Sequence, residues 1–156
     1  MLWGKRSTLA MCWFDRFDSD ILHQIRGYMK LFEHMKDGGE DSNVHGYFLC
    51  EIKCLFSIAI LVFEDGSRDA YHSHAFNAIS WMLKGKVLEE HIDKVSNNIY
   101  PSWKPFITTR ECFHKVTSFN KSYFITFRGP WKDTWSEYIP KTKEYIKLTF
   151  GRKRVK

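Results

Sequence analysis

Residues 71–85, YHSHAFNAISWMLKG, carry two histidines one position apart and end in a glycine. Because side chains of a β-strand alternate between its two faces, His72 and His74 are expected on the same face. Two imidazoles at this separation can bind one metal ion, and a third from a neighbouring strand completes a set with open coordination positions. His114 is the candidate for that third ligand. The stretch therefore predicts a metal site on a β-sheet.

Short apolar stretches separated by turn residues extend this pattern over most of the chain. Their spacing predicts a sandwich or barrel of short strands. Before them, apolar residues recur at helical spacing from Ile21 to Met35, which predicts a helix that begins after a capping run at 18–20 and ends at 37–39. The predicted strands are residues 47–55, 56–63, 70–74, 78–83, 86–91, 106–109, 112–118, 122–128 and 145–150.

The expected organisation is a single domain of 156 residues. It comprises a helical N-terminal extension at about residues 1–45, a barrel with the metal site at about 46–150, and a basic tail at 151–156. A hydrophobic content of 44% supports a core, and a net charge of +6 favours anionic partners. The four cysteines follow no disulfide-framework or zinc-finger spacing, and no apolar run reaches membrane-spanning length. We therefore expect a cytoplasmic protein without membrane contact.

The histidine pair, the glycine at position 85 and His114 resemble the two sequence motifs of the cupin superfamily, the small double-stranded β-helix barrels. Segments 74–80 and 124–131 are more narrowly similar to a group of uncharacterised cupin-domain proteins, many of them from phages. The resemblance covers roughly residues 71–135. It implies a mainly β, jelly-roll-like barrel in which the three histidines bind a divalent transition metal, with iron, zinc, nickel and manganese all compatible.

The sequence departs from the cupin pattern in two places. Ala78 stands where the superfamily usually has a glutamate ligand, and Thr109 and Glu111 stand where a proline and a glycine usually precede the second-motif histidine. A site of neutral imidazoles leaves the charge of a metal ion uncompensated, so it should attract an anionic substrate. Strand parity does not decide which residue supplies a replacement oxygen ligand. The candidates are Glu89, Glu90 and Asn77.

Further residues around the motif are predicted to contact substrate or to take part in catalysis. Arg110 has the strand parity of His114, so it is expected inside the barrel, where it either binds a substrate anion or pairs with a neighbouring glutamate. Arg128 either holds substrate at the barrel mouth or pairs with a surface acid. His91 is a metal ligand, a general base or simply a histidine at a strand end. The predicted substrate-binding residues are Arg110, Arg128, Asn77 and Trp131, and the predicted catalytic residues are Glu90 and His91.

These features are compatible with two functional hypotheses. The first is a metal-dependent cupin-fold enzyme that acts on a small anionic, nucleotide-like substrate, by hydrolysis as a phosphodiesterase or by oxidation as an iron(II)-type dioxygenase. The second is a non-catalytic barrel that sequesters a small ligand such as a signalling nucleotide. Nucleic-acid binding ranks last, because no element carries a contiguous basic face interleaved with aromatics. Pairing through edge strands predicts a homodimer, in the host cytoplasm if the protein is viral.

Overall fold

The computed structural model describes residues 29–40, 42–67 and 70–155. Within these ranges the chain forms fourteen β-strands and one 3₁₀ helix, which confirms the mainly β prediction. In chain order they are β1 (Met29–Lys36), β2 (Val44–Ile52), β3 (Phe56–Phe63), β4 (Gly66–Ser67), β5 (Tyr71–His72), β6 (Ala78–Lys84), β7 (Val87–His91), β8 (Lys94–Ile99), β9 (Phe106–Thr108), β10 (His114–Ser118), β11 (Ser122–Arg128), β12 (Thr134–Ile139), β13 (Glu144–Thr149), the 3₁₀ helix (Phe150–Arg152) and β14 (Lys153–Arg154). In this part of the chain, no helix is long and apolar enough to span a bilayer.

The strands form two sheets that enclose one interior. The first has six strands in the order β1-β2-β3-β11-β6-β9, and the second has the order β14-β13-β12-β5-β10-β7-β8, with β4 beside β10. Met82 and Phe124 of the first sheet form a buried cluster with Val87 of the second, so apolar side chains join the two layers. Burial of this kind supplies most of the free energy that holds two sheets together.

Strand β11 shows how the interior changes from apolar to polar. Its alternate residues face inward, and Phe124, Thr126 and Arg128 are each at most 4% exposed. Beside Thr126, on β6, the Ser80 hydroxyl donates a hydrogen bond of 3.0 Å to Thr126 Oγ1. The inner face of the first sheet is therefore apolar at the middle of β11 and charged at its C-terminal end.

The predicted N-terminal helix is wrong for the part that the structure describes. Met29–Lys36 form β1, an edge strand that pairs antiparallel with β2. The apolar residues with helical spacing do not face a core there, since Phe32 is 84% exposed and has a φ of 53°. Hydrogen bonding to β2 overrides the weak helical preference of this segment. The rest of that prediction, residues 18–28, lies outside the described residues, and the boundary expected near residue 46 falls inside β2.

Candidate metal centre

Three histidines lie close together on the inner face of the second sheet. His72, at the end of β5, is directly opposite His114, at the start of β10. His74 follows two residues after His72, just beyond the end of β5. The ring centroids are 5.0 Å apart for His72 and His74, 5.0 Å for His72 and His114, and 4.9 Å for His74 and His114. The three predicted ligands therefore form a nearly equilateral triangle.

The ligating atoms of these histidines converge on one point. One nitrogen of each ring lies within 4.8 Å of the others, and His74 Nε2 is 2.8 Å from His114 Nε2. Two imidazole nitrogens bound to one ion at about 2.1 Å lie about 3.0 Å apart when cis in an octahedral site, and about 3.4 Å apart in a tetrahedral one. The observed separation is that of an N–H···N hydrogen bond, and it is short enough for both nitrogens to bind one ion. The residues thus fit a divalent ion with coordination positions left open.

The Glu89 carboxylate orients His114 from the side opposite to the converging nitrogens. It accepts a hydrogen bond from His114 Nδ1, and its other oxygen lies 3.5 Å from His91 Nε2. Burial opposes ionisation, but the hydrogen bond and charge interaction with His114, and then those with His91, outweigh it and hold the pKa of Glu89 below its ordinary value. An ionised carboxylate at this place fixes the tautomer of His114 and offsets part of an ion's charge.

The position of the missing glutamate is filled by apolar packing. Ala78, at the start of β6, is 7% exposed and clusters with Ala75 and Phe76. A carboxylate reaches the histidines from β7 instead, that of Glu89. Sequence reasoning named Glu89 as an alternative ligand but missed its contact with His114. The contact depends on the pairing of β7 with β10, which sets His114 opposite His91 and Val116 opposite Glu89, and no local pattern indicates it.

The three histidines line a cavity of about 460 Å³ between the sheets. This volume lies within the range of small-molecule sites, roughly 300–1,000 Å³. The walls are mainly apolar and aromatic, but five basic residues contribute to them, Lys36, Lys53, Lys115, Arg128 and Arg152. Arg152 is engaged by Glu137 through hydrogen bonds of 2.8 and 2.9 Å, and the Lys53 ammonium lies 5.0 Å from the ring centroid of Trp131.

Arg128 is the most deeply buried of these cations, with 3% of its surface exposed. Its Nη2 forms an ion pair with Asp37, and its guanidinium carbon lies 4.7 Å from the ring centroid of Phe76. Among the described residues, none accepts a hydrogen bond from Nε or Nη1, which are both buried. Burying unused donors on a charged group costs free energy, which an acceptor placed beside either atom would recover.

Comparison with solved structures identifies the arrangement of strands. A sugar phosphate isomerase from a cupin superfamily of Silicibacter pomeroyi superposes with a TM-score of 0.57 at 11% identity, over 81% of this chain and 92% of that one. An RmlC-like cupin from Shewanella frigidimarina gives 0.51 at 15% identity, over 65% and 86%. The protein has the cupin fold. KdgF from Halomonas sp. gives 0.50 at 13% identity, over 67% and 97%. No family model and no curated protein sequence matches the chain.

Arg110 and Asn77 connect loops of the cupin barrel. β10 begins at residue 114, so the strand parity that predicted an inward Arg110 does not extend to it. Arg110 Nε donates to the Ala75 carbonyl at 3.2 Å and Nη2 to the Pro130 carbonyl at 2.6 Å, and its backbone N–H donates to Asn77 Oδ1 at 2.9 Å. Neither side chain is part of the cavity wall. Arg110 and Asn77 therefore hold these loops together through their hydrogen bonds.

The other predicted residues of the cupin site fall in three different places. Trp131 lines the cavity, with its ring centroid 5.0 Å from that of Phe76. Glu90 follows Glu89 on β7 and pairs with Lys115 at 3.0 Å, so its carboxylate is directed to the opposite face of the strand. His91 is not part of the cavity wall, and its Nε2 lies 3.5 Å from Glu89 Oε2. The structure thus brings Trp131 together with the three histidines, but neither Glu90 nor His91 into the cavity.

Cys112 lies behind the metal centre, next to His91. Its Sγ is 3.3 Å from His91 Nδ1. Burial, and to a lesser degree the Glu89 carboxylate, raises the pKa of the Cys112 thiol. The group is therefore protonated at neutral pH when no cation is bound, which disfavours a role as a nucleophile. The cysteine spacing indicates no disulfide or zinc site at Cys112, and its approach to His91 depends on the turn before β10.

Proposed function

We propose that the protein is a metal-dependent enzyme that acts on a small anionic substrate. The observation that carries this proposal is the convergence of three histidine nitrogens on a cavity that also holds the buried guanidinium of Arg128. Metal ligands and an anion-binding group in one enclosed site are the parts that metal-assisted chemistry on an anion requires.

Each part of the cavity has a distinct task in this proposal. His72, His74 and His114 hold the ion, which when bound supplies Lewis acidity and, for a redox-active metal, an electron. Glu89 keeps His114 in the tautomer that exposes Nε2. Arg128 attracts the acidic group of the substrate by its charge and donates a hydrogen bond to it from either Nε or Nη1, which fixes its orientation. The apolar walls exclude bulk water, which strengthens both interactions.

The substrate that best suits this cavity is an anion with a ring. Arg128 lies against Phe76, and Phe76 packs on Trp131, so the anion site borders an aromatic wall. A nucleotide-like molecule combines a phosphate with a flat ring that can stack on such a wall. Hydrolysis of a phosphate ester and oxidation by dioxygen both remain compatible with three imidazole ligands.

Metal content, measured by mass spectrometry on tag-free protein prepared without chelators, tests the proposal. We expect at least one equivalent of metal in the parent and one equivalent less in a His72→Ala/His74→Ala variant. The matched control is His34→Ala/His45→Ala, which removes an exposed histidine pair with a 3.1 Å nitrogen contact on β1 and β2. Iron would direct substrate screening to oxygenation and zinc to hydrolysis. Equal metal content in the parent and the His72→Ala/His74→Ala variant, before and after reconstitution, would contradict the proposal.

A ligand-sequestering barrel is the second candidate, favoured by the replacement of the glutamate ligand by Ala78 within an apolar cluster. On this alternative, the cavity retains its ligand without turnover. Native mass spectrometry distinguishes the two candidates, since sequestration predicts that a bound ligand survives His72→Ala at full stoichiometry. The enzyme predicts that product formation is abolished by His72→Ala and by His114→Ala, while circular dichroism is unchanged.

A cytoplasmic homodimer is the form in which we propose that the protein acts. β9 is an edge strand of the first sheet, and its Ile107 is 71% exposed. An apolar edge strand favours pairing with a second chain. Light scattering is expected to give a dimer for the parent and a monomer for Ile107→Lys. Val95→Lys, on the edge strand β8 of the other sheet, is the control that should stay dimeric; a monomeric parent would contradict the proposal.

A further inference from the structure

A second group of metal-ligating side chains lies behind the metal centre. It consists of Glu89, His91 and Cys112, and one ligand atom of each lies within 4.8 Å of the others. All three are partly buried. Glu89 Oε2 is 3.5 Å from His91 Nε2, and Cys112 Sγ is 3.3 Å from His91 Nδ1. Glu89 lines the large cavity, whereas His91 and Cys112 line a second, smaller one.

We infer that Glu89, His91 and Cys112 form a second metal site, one that takes zinc or another ion with an affinity for thiolate. A thiolate, an imidazole and a carboxylate are the three kinds of ligand that zinc uses in proteins. The thiolate and the carboxylate together neutralise a divalent ion, whereas the three histidines of the first site are neutral. The second site therefore differs from the first in charge and in chemical softness.

The imidazole of His91 lies between the other two ligands and determines how an ion enters. One of its nitrogens faces Cys112 and the other faces Glu89. An ion takes only one ring nitrogen, so binding replaces one of these two contacts with a bond to the ion. A cavity of about 250 Å³ gives access, and the exposed residues Asp93 and Glu111 line it. Lys94 lines it as well, so the two carboxylates leave the entrance with a net negative charge, which attracts a cation.

Glu89 couples the second site to the first. One of its oxygens accepts the hydrogen bond from His114, and the other faces His91. The same carboxylate would therefore ligate the second ion and orient a ligand of the first. This inference goes beyond the proposed function, because the second site can bind its ion whether or not the histidine triangle binds one.

Binding of Zn²⁺ and Co²⁺ to the full-length, metal-stripped protein tests the inference. We expect the parent to bind two equivalents of Zn²⁺, and its Co²⁺ form to show the near-ultraviolet absorption of a cobalt–thiolate bond. Cys112→Ser should lose that absorption and one equivalent of zinc. Cys54→Ser, which removes an exposed cysteine outside the group, should keep both. The His72→Ala/His74→Ala variant should lose one equivalent of zinc and keep the absorption.

Each alternative outcome gives a clear answer. A parent without cobalt–thiolate absorption overturns the inference without the need for any variant, so a misfolded Cys112→Ser protein cannot obscure the result. Persistence of the absorption in Cys112→Ser overturns it as well. A parent that binds a single equivalent, lost in Cys112→Ser and retained in the His72→Ala/His74→Ala variant, supports the second site and contradicts the proposed function.

Discussion

His114 donates a hydrogen bond from Nδ1 to Glu89, while Nε2 on the other side of the same ring faces His74. The imidazole is therefore held between a carboxylate and the place where an ion would bind. Because the ionised carboxylate can only accept a hydrogen bond, the proton is kept on Nδ1 and the lone pair on Nε2. Glu89 thus prepares His114 as a metal ligand before any ion is present.

Replacement of Glu89 by glutamine tests this relationship. Glu89→Gln keeps the shape of the side chain but removes the charge, so we expect the affinity of the histidine site to fall about 10- to 100-fold while the fold is retained. Competition with a chromophoric chelator measures the affinity, with Cys112→Ser as the background so that a second ion does not contribute.

Glu90→Gln is the matched control for this experiment. Glu90 is the next residue on β7, but it pairs with Lys115 at 3.0 Å on the other face of the strand. Its replacement is expected to leave metal affinity within twofold of the parent. Equal losses in the two variants would show that general electrostatics, rather than the contact with His114, determines the affinity.

The two unused donors of Arg128 give a prediction for anion binding. Arg128→Lys keeps the positive charge beside Asp37 but removes the Nε and Nη1 donors, so binding of inorganic phosphate should weaken about tenfold or more. Isothermal titration calorimetry at fixed ionic strength measures this change. Arg110→Lys is the control, because its guanidinium is engaged by the Ala75 and Pro130 carbonyls. A larger effect at Arg110 than at Arg128 would place the anion beside Arg110, outside the cavity wall.

The fold was predictable from the sequence mainly where strands alternate strictly. In β11, the inward residues Ser122, Phe124 and Thr126 are buried and their neighbours are not, which is the pattern that period-two reasoning detects. β8 is different, because five of its six residues are exposed and none of them marks a buried face. Its backbone pairs with β7, and a strand that forms because of this pairing has no alternating pattern of its own in the sequence.

The site was predictable to the extent that it depends on residues within one strand. The spacing of His72 and His74 predicts a shared face, and the structure brings them together with His114. The direction of the Arg110 side chain was not predictable, because it depends on the residue at which β10 begins. Asp37, the partner of Arg128, comes from a turn 91 residues away, and no local pattern indicates such a contact.

Gly85 gives a prediction about the stability of the barrel. It follows β6 with a φ of +106°, and a Cβ added there would lie 2.6 Å from Ser122 Cα and 2.3 Å from Ser122 Oγ. Ser122 is fully buried, so it cannot move aside. Gly85→Ala should therefore lower the free energy of unfolding by at least about 3 kcal/mol, from backbone strain and overlap together.

Gly66→Ala is the control for the overlap at Gly85. Gly66 also has a positive φ, of +90°, but an added Cβ would meet nothing within 4 Å. Its replacement should cost only the conformational strain, about 1 kcal/mol. Urea denaturation of the two variants gives the comparison. Similar losses in both would assign the need for glycine at position 85 to backbone conformation alone.

Glu51 provides a prediction about the dependence of stability on pH. It lies on β2 with 2% of its surface exposed. Burial raises the pKa of its carboxyl above the ordinary value of 4.5, and the opposing attraction of Lys53, Lys30 and Arg128 does not cancel this effect. The folded state therefore binds a proton more tightly than the unfolded state does. The stability that this proton binding to Glu51 contributes is present in full below pH 4.5, and it is lost as the pH rises through the folded-state pKa of Glu51.

Glu51→Gln removes this ionisation at nearly constant shape. We expect the variant to match the parent in stability near pH 4 and to exceed it at pH 7, as measured by chemical denaturation at both values. The control is Glu33→Gln, which changes a half-exposed residue of β1 paired with Lys30 at 3.6 Å. Weak surface ion pairs contribute little, so its difference from the parent should be small at both values. A parent more stable than Glu51→Gln at pH 7 would mean that the attraction of the surrounding cations outweighs the burial of the carboxylate.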